Sequence, residues 1–239
     1  MTGATTSQLE LVCFPPAGGS AALFRRWRTA LGPGLAIRAM DLPGRDREGA
    51  RTAGTSLGEA AAALAPVVAT REPYALVGHS LGGLLAYEIA ARICRTADLP
   101  RPRFLLVAGT RPPHRTSAEA FAALLELDDD GMLDALALMG AVNPALRTAP
   151  FRGLFVPALR ADLALIARYR FAPAAAPLPV DLLAWHGSGD ALAPADLGRE
   201  WGRYTSARFE HAEFAGDHFF LHDPLGEVTS ALRAHLSIS

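Results

Sequence analysis

Short apolar runs and longer helical-period segments take turns along most of the chain. Leu9-Glu10-Leu11-Val12-Cys13-Phe14, Ile37-Arg38-Ala39-Met40-Asp41, Tyr74-Ala75-Leu76-Val77-Gly78, Phe104-Leu105-Leu106-Val107-Ala108 and Val180-Asp181-Leu182-Leu183-Ala184-Trp185-His186 read as strands, with a last one over residues 207–214. Between them, Leu23, Phe24 and Trp27 share one face of a helix that Ser20 is placed to cap and that runs to about residue 30. Further helices are predicted over residues 56–70, 80–95, 196–204 and 224–236, with Asp196 as a cap. Strands this apolar need cover on both faces. The economical architecture is therefore α/β, a mostly parallel sheet flanked by helices.

The alternation breaks once. From about residue 116 to 170 only helical patterns occur, over 118–127, 130–139 and 159–169, with Pro144, Pro150 and Pro157 as breakers. Asp128-Asp129-Asp130 reads as a solvated helix start, because acidic side chains favour the first turn. A helical stretch between two sheet strands is an insertion, and above a reactive site it is expected to act as a lid; plain packing on the sheet is the other reading. A Pro/Ala-rich linker over 172–179 leads back to the sheet.

Composition narrows the class. The chain has 239 residues, half of them hydrophobic, enough for one large core and a single domain over 1–239. Its net charge of −1 supplies no global field toward nucleic acid or an anionic membrane. Every Lys/Arg-type cation is an arginine. Cys13 and Cys94 fall in a strand and a helix and are expected as free thiols in a reducing compartment. Residues 1–8 have neither a basic start nor an apolar run, and no apolar stretch of about 18 residues occurs, so a soluble cytoplasmic protein is expected.

The chemistry gathers at Gly78-His79-Ser80-Leu81-Gly82, a G-x-S-x-G turn with a strand before it and a helix after. A serine on so sharp a turn needs small neighbours two positions away, and its hydroxyl stands at the carboxyl end of the strand. A serine nucleophile needs a base, and the base needs an orienting acid. Of the seven histidines, His218 lies in a loop just past the last strand, on the edge where the carboxyl ends of a parallel sheet open. His222 is its rival; His79 is expected to turn toward the core. Asp190, in Gly187-Ser188-Gly189-Asp190, is the favoured acid over Asp196 and Asp217. The order Ser80, Asp190, His218 is that of an α/β-hydrolase. An oxyanion hole would draw on the backbone N–H of Leu81 and on one from Pro15-Pro16-Ala17-Gly18-Gly19-Ser20. Ala17 offers the first amide there, since prolines have none.

With these residues in place, the chain resembles the type II thioesterases that accompany polyketide and nonribosomal peptide synthetases. The likeness runs through Cys13-Phe14-Pro15-Pro16-Ala17-Gly18-Gly19-Ser20, Leu42-Pro43-Gly44-Arg45-Asp46-Arg47-Glu48 and the elbow. It continues through Leu159-Arg160-Ala161-Asp162, Tyr169-Arg170-Phe171 and Gly216-Asp217-His218-Phe219-Phe220-Leu221. In two places the chain departs from the family's usual pattern: Pro16 replaces an aromatic residue, and Leu81 stands where methionine is common. The resemblance implies hydrolysis of acyl groups from the phosphopantetheine arm of acyl carrier or peptidyl carrier proteins, with a helical lid over the site. No cofactor or metal is expected, nor nucleic acid or membrane partners, and a monomer is expected. A chain-releasing or cyclising thioesterase, a general carboxylesterase and a non-catalytic carrier-binding scaffold are the alternatives. Arg25, Arg26, Arg28, Arg45, Arg47, Arg51, Arg111 and Arg115 are candidates for docking an acidic carrier, against a dispersed solvated surface.

Overall fold

The computed structural model describes residues 8–42, 56–69, 73–173, 176–222 and 225–238. The Pro43-Gly44-Arg45-Asp46-Arg47-Glu48 segment and Arg51 lie outside them. The strands are β1 (Leu9–Phe14), β2 (Leu35–Ala39), β3 (Tyr74–His79), β4 (Phe104–Ala108), β5 (Asp181–Gly187) and β6 (Phe209–Phe214). They form one sheet in the order β2-β1-β3-β4-β5-β6, every neighbouring pair parallel. The chain starts at β1, one strand in from an edge, steps outward to β2, then crosses back over β1 to β3 and proceeds in order to β6 at the other edge. The helices are α1 (Arg25–Leu31), α2 (Leu57–Val68), α3 (Leu81–Arg95), α4 (Ala118–Leu125), α5 (Asp129–Leu138), α6 (Arg152–Ala167), α7 (Ala195–Gly198) and α8 (Leu225–Ile238).

The strand pattern explains the layers. Leu76, Leu105, Val107 and Leu182 belong to a core with α2, α3 and part of α4–α6. The intervening Ala75, Val77, Leu106 and Leu183 belong to a second core with α1 and α8. Successive side chains leave a strand on opposite faces, so an unbroken apolar run is what two covered faces require. Fully burying a leucine such as Leu76 or Leu106 is worth about 2 kcal/mol, and both are completely buried.

Several boundaries differ from expectation, each for a local reason. Ser20 makes no side-chain cap; the chain enters α1 through a 3-10 turn at Ala21–Phe24, and Asp41 Oδ1 takes the Ala21 amide instead. β2 ends at Ala39, and Asp41 lies beyond it. Pro157 lies inside α6, which begins seven residues before the predicted start. Both Pro157 and Gly153, whose carbonyl the proline cannot serve, are exposed, so water can satisfy it. Asp196 sits in the first turn of α7, whose N-cap is Pro194, and its carboxylate accepts from the adjacent Leu197 amide. The expected helix to residue 204 continues as a 3-10 segment, Arg199–Tyr204. Pro224 lies outside the described residues. Among those residues no helix is long and apolar enough to cross a membrane.

Candidate active site

The turn after β3 is where the backbone is most constrained. Ser80 has φ 54° and ψ −118°, the single non-glycine positive φ among the described residues. Its flanking glycines are required by contact. A Cβ at Gly78 would lie 2.2 Å from the Gly82 carbonyl oxygen, and one at Gly82 would lie 2.3 Å from that of Phe14. The Ser80 amide donates to Ala108 (2.8 Å), and its carbonyl accepts from Leu84 as α3 begins (3.1 Å). Thr110 Oγ1 lies 3.1 Å from the Ser80 carbonyl and 2.8 Å from that of Ala108, pinning the turn to the end of β4.

Asp190 and His218 come from the loops after β5 and β6. His218 Nδ1 donates to Asp190 Oδ2 at 2.8 Å, and both residues are buried. The other carboxylate oxygen accepts the amides of Leu192 (2.9 Å) and Ala193 (2.8 Å), which fixes the plane of the group. With Nδ1 protonated, Nε2 of a neutral His218 is left as an acceptor. His218 and Ser80 line the same cavity, together with Ala17. The geometry thus brings together Ser80, Asp190, His218 and Ala17, with Leu81 beside Ser80. The rival residues are employed elsewhere: Asp217 Oδ1 accepts from Phe219, and the His222 ring packs on Phe24 and His79.

His79 does more than face the core. Its Nε2 lies 2.7 Å from the His218 carbonyl oxygen, and a carbonyl only accepts, so Nε2 carries the proton. Burial, and then the proximity of His218 and His222, push its pKa well below the usual histidine value, so the ring is neutral. It is a neutral strut between the nucleophile strand and the base loop. Burial also lowers His222 and His186 to about 4.

The Ala17 and Leu81 amides have no acceptor among the described residues. Leu81 is the first residue of α3, a position with no intrahelical acceptor, at the positive end of the helix dipole. An oxyanion between these two N–H groups would be stabilised electrostatically.

Space around Ser80 is scarce. The cavity shared with His218 holds about 20 Å³ and an adjoining apolar pocket under Phe121 and Ile166 about 30 Å³, room for a water or two. A larger cleft of about 620 Å³ begins on the far side of Pro16 and Ala17, between the Gly18-Gly19 loop and the end of α5. Phe121 of α4 and Leu159, Leu163 and Ile166 of α6 close the inner space from above.

Two residues to which sequence reasoning gave no role belong to this architecture. Thr110 is one. Asp162 is the other, a buried carboxylate on α6 that accepts the Gly18 amide at 2.8 Å. Its signal was an acidic residue between Leu159 and Ile166 on the apolar face of the helix predicted over 159–169. Asp128-Asp129-Asp130 starts a helix, as expected. Asp128 caps α5, while Asp129 and Asp130 pair with Arg160 and Arg152 of α6. Among the described residues no group of three or more His, Cys, Asp or Glu is arranged to hold a metal ion.

Comparison with known proteins gives this geometry a family. Thioesterase PikA5 of Streptomyces venezuelae is 34% identical over 243 residues, covering 99% of this chain and 84% of its own length. The RedJ thioesterase from the prodiginine biosynthetic pathway in Streptomyces coelicolor superposes with a TM-score of 0.82 at 34% identity, covering 97% of this chain and 85% of RedJ. BorB, the type II thioesterase from the borrelidin biosynthetic cluster, gives 0.82 at 28% identity, covering 98% and 94%. The fold is that of the α/β-hydrolases. The thioesterase domain model matches residues 9–236, and the chain belongs to that family.

Proposed function

We propose that the chain hydrolyses acyl thioesters on the phosphopantetheine arm of acyl or peptidyl carrier proteins, clearing stalled or mis-loaded chains during polyketide and nonribosomal peptide assembly. The observation that carries this reading is the 2.8 Å bond from His218 to Asp190 in the cavity that holds Ser80 on its strained turn. Ser80 Oγ attacks the thioester carbonyl and gives its proton to His218 Nε2. The Leu81 and Ala17 amides receive the oxyanion. The tetrahedral intermediate collapses, and the pantetheine sulfur leaves with the proton from His218. Water then attacks the acyl-serine, again through His218, releasing the free acid and restoring Ser80. Serine, imidazole, carboxylate and amides supply every group this cycle needs.

The inner space is too small for an acyl chain, so the segment over 116–170 serves as a lid within one domain and moves to admit substrate. The cleft beside Pro16 and Ala17 then offers the way in. Of the docking candidates, Arg111 and Arg115 are committed to Leu192 and Glu200, whereas Arg25 and Arg26 are exposed on α1 and suit an acidic carrier surface. A cytoplasmic setting belongs to the same proposal; Cys13 and Cys94 are unpaired, as a reducing compartment permits.

The test compares release of free acid from an acylated carrier protein and from a simple ester. Wild type should prefer the carrier thioester, and Ser80→Ala should lose at least about 1000-fold in kcat. Equal turnover of both substrates would point to a general esterase, and activity that survives Ser80→Ala would overturn the serine mechanism.

A further inference from the structure

The Pro16–Gly19 loop is a turn. Gly19 N–H donates to the Pro16 carbonyl at 2.9 Å, and Gly18, third in the turn, has φ +73°. A positive φ at that position marks a type II turn, in which the central peptide is flipped relative to type I. That peptide joins Ala17 to Gly18. Its N–H is the one Asp162 accepts, at 2.8 Å, from a carboxylate that is 2% exposed. Asp162 therefore holds the peptide whose orientation separates one turn type from the other.

The same stripe of α6 meets the loop along its length. A Cβ at Gly18 would lie 2.7 Å from the Phe155 ring and 3.3 Å from Leu159. Residues 155, 159, 162 and 166 follow helical spacing, and Ile166 at the end of the stripe lines both pockets at Ser80. At its outer side α6 is held by Arg160, which pairs with Asp129 at 2.7 Å and donates to the carbonyls of Leu125 and Leu127. A carboxylate in this apolar contact is costly unless its hydrogen bonds are made, and the contact is between insertion and loop.

We propose that Asp162 is a positioning residue that couples closure of the helical insertion to assembly of the oxyanion hole. With α6 seated, Asp162 fixes the Ala17–Gly18 peptide, and through Ala17 it fixes the amide that receives the oxyanion. With α6 lifted, that restraint is gone, and the hole is incomplete until the insertion closes on substrate. The inference rests on the hydrolase reading above and on Ala17 as a donor.

The test uses Asp162→Ala and Asp162→Asn with a small acyl-pantetheine thioester, which avoids carrier docking. Asp162→Ala should lower kcat by about 10- to 100-fold, the range for a slightly misplaced catalytic group, with KM changed by less than about 3-fold. Asn retains an acceptor oxygen and should recover most of the rate. Affinity for a trifluoromethyl ketone analogue, whose adduct with serine places an oxyanion in the hole, should fall with kcat/KM in the alanine variant alone. Should Asp162→Ala fail to fold, Gly18→Ala opens the same joint from the loop side and should give the same kcat-selective loss. A rise in KM alone, an asparagine variant as slow as the alanine one, or unchanged analogue affinity would overturn the coupling. Ser80→Ala is measured alongside. An inactive Ser80→Ala with a fully active Asp162→Ala removes only this proposal, whereas an active Ser80→Ala removes the hydrolase reading beneath it.

Discussion

At the scale of single residues, the proposed mechanism turns on which nitrogen of His218 holds a proton, and Asp190 decides that. Its Oδ1 serves the amides of Leu192 and Ala193, and its Oδ2 serves Nδ1 of His218. An asparagine there keeps its shape but must keep its single oxygen on the two amides. Its NH2 then faces Nδ1 and makes that nitrogen an acceptor, which moves the ring proton to Nε2. A ring protonated at Nε2 cannot accept from Ser80. Asp190→Asn should thus fold normally and lose about 10⁴-fold in kcat, a magnitude set by the same change in a serine protease triad. Steady-state kinetics on an acyl thioester, with thermal unfolding as the folding control, checks this. A variant within about 10-fold of wild type would mean that Asp190 does not set the tautomer. His79 and Thr110 act at one remove, holding the His218 carbonyl and the serine turn.

At the scale of elements, the strand-turn-helix unit is what makes a reactive serine possible, and its glycines are where it is brittle. Gly82→Ala drives a methyl into the Phe14 carbonyl at 2.3 Å and the Pro15 carbonyl at 2.5 Å, backbone with no flexible side chain to move. It should unfold the protein or lower its stability by about 3 kcal/mol or more. Gly58, in the first turn of α2, has nothing within 4 Å of a built Cβ. Gly58→Ala should instead stabilise by about 0.5–1 kcal/mol by restricting the unfolded chain. Urea unfolding of the pair measures both; equal effects would show that the elbow has slack. The elbow and β3, β4 and β5 were legible because a fully covered strand is apolar without interruption and the turn has its own spacing. The start of α6 was not, because Pro157 breaks the local pattern while tertiary packing keeps the helix. Nor was the link between Asp162 and Gly18 legible. The residues are 144 positions apart, and neither local period reports on contacts of that range.

At the scale of the whole molecule, the histidines buried on and around the sheet make stability depend on acid. His79, His186 and His222 all have folded pKa values below the unfolded histidine value, with burial the leading cause, and His186 and His222 stand at about 4. The sign follows from linkage. Below about pH 6.5 the unfolded chain binds protons that the folded chain refuses, so this contribution is fully present above pH 6.5 and is lost as pH falls toward 4. Each tenfold weakening of proton binding on folding is worth about 1.4 kcal/mol, so His186 and His222 each cost roughly 3 kcal/mol at the acid end, a large share of a typical net stability. Most carboxylates titrate below about pH 4.5, and Glu88, which burial raises, takes up protons more readily in the folded chain and so acts in the opposite sense; a fall in stability from about pH 6.5 to 5 therefore reports the histidines. Urea unfolding at pH 7, 6 and 5 should show stability falling steadily. His222→Phe keeps an aromatic ring against Phe24 and His79 and removes two ring nitrogens that have no partner among the described residues. It should be more stable than wild type at pH 5 and show a shallower fall between pH 7 and 5. A wild-type stability flat over that range would mean that the buried rings are protonated in the folded state. A slope unchanged by His222→Phe would place the acid sensitivity in the other histidines that burial lowers, His79, His186 and His211, and remove His222 from it.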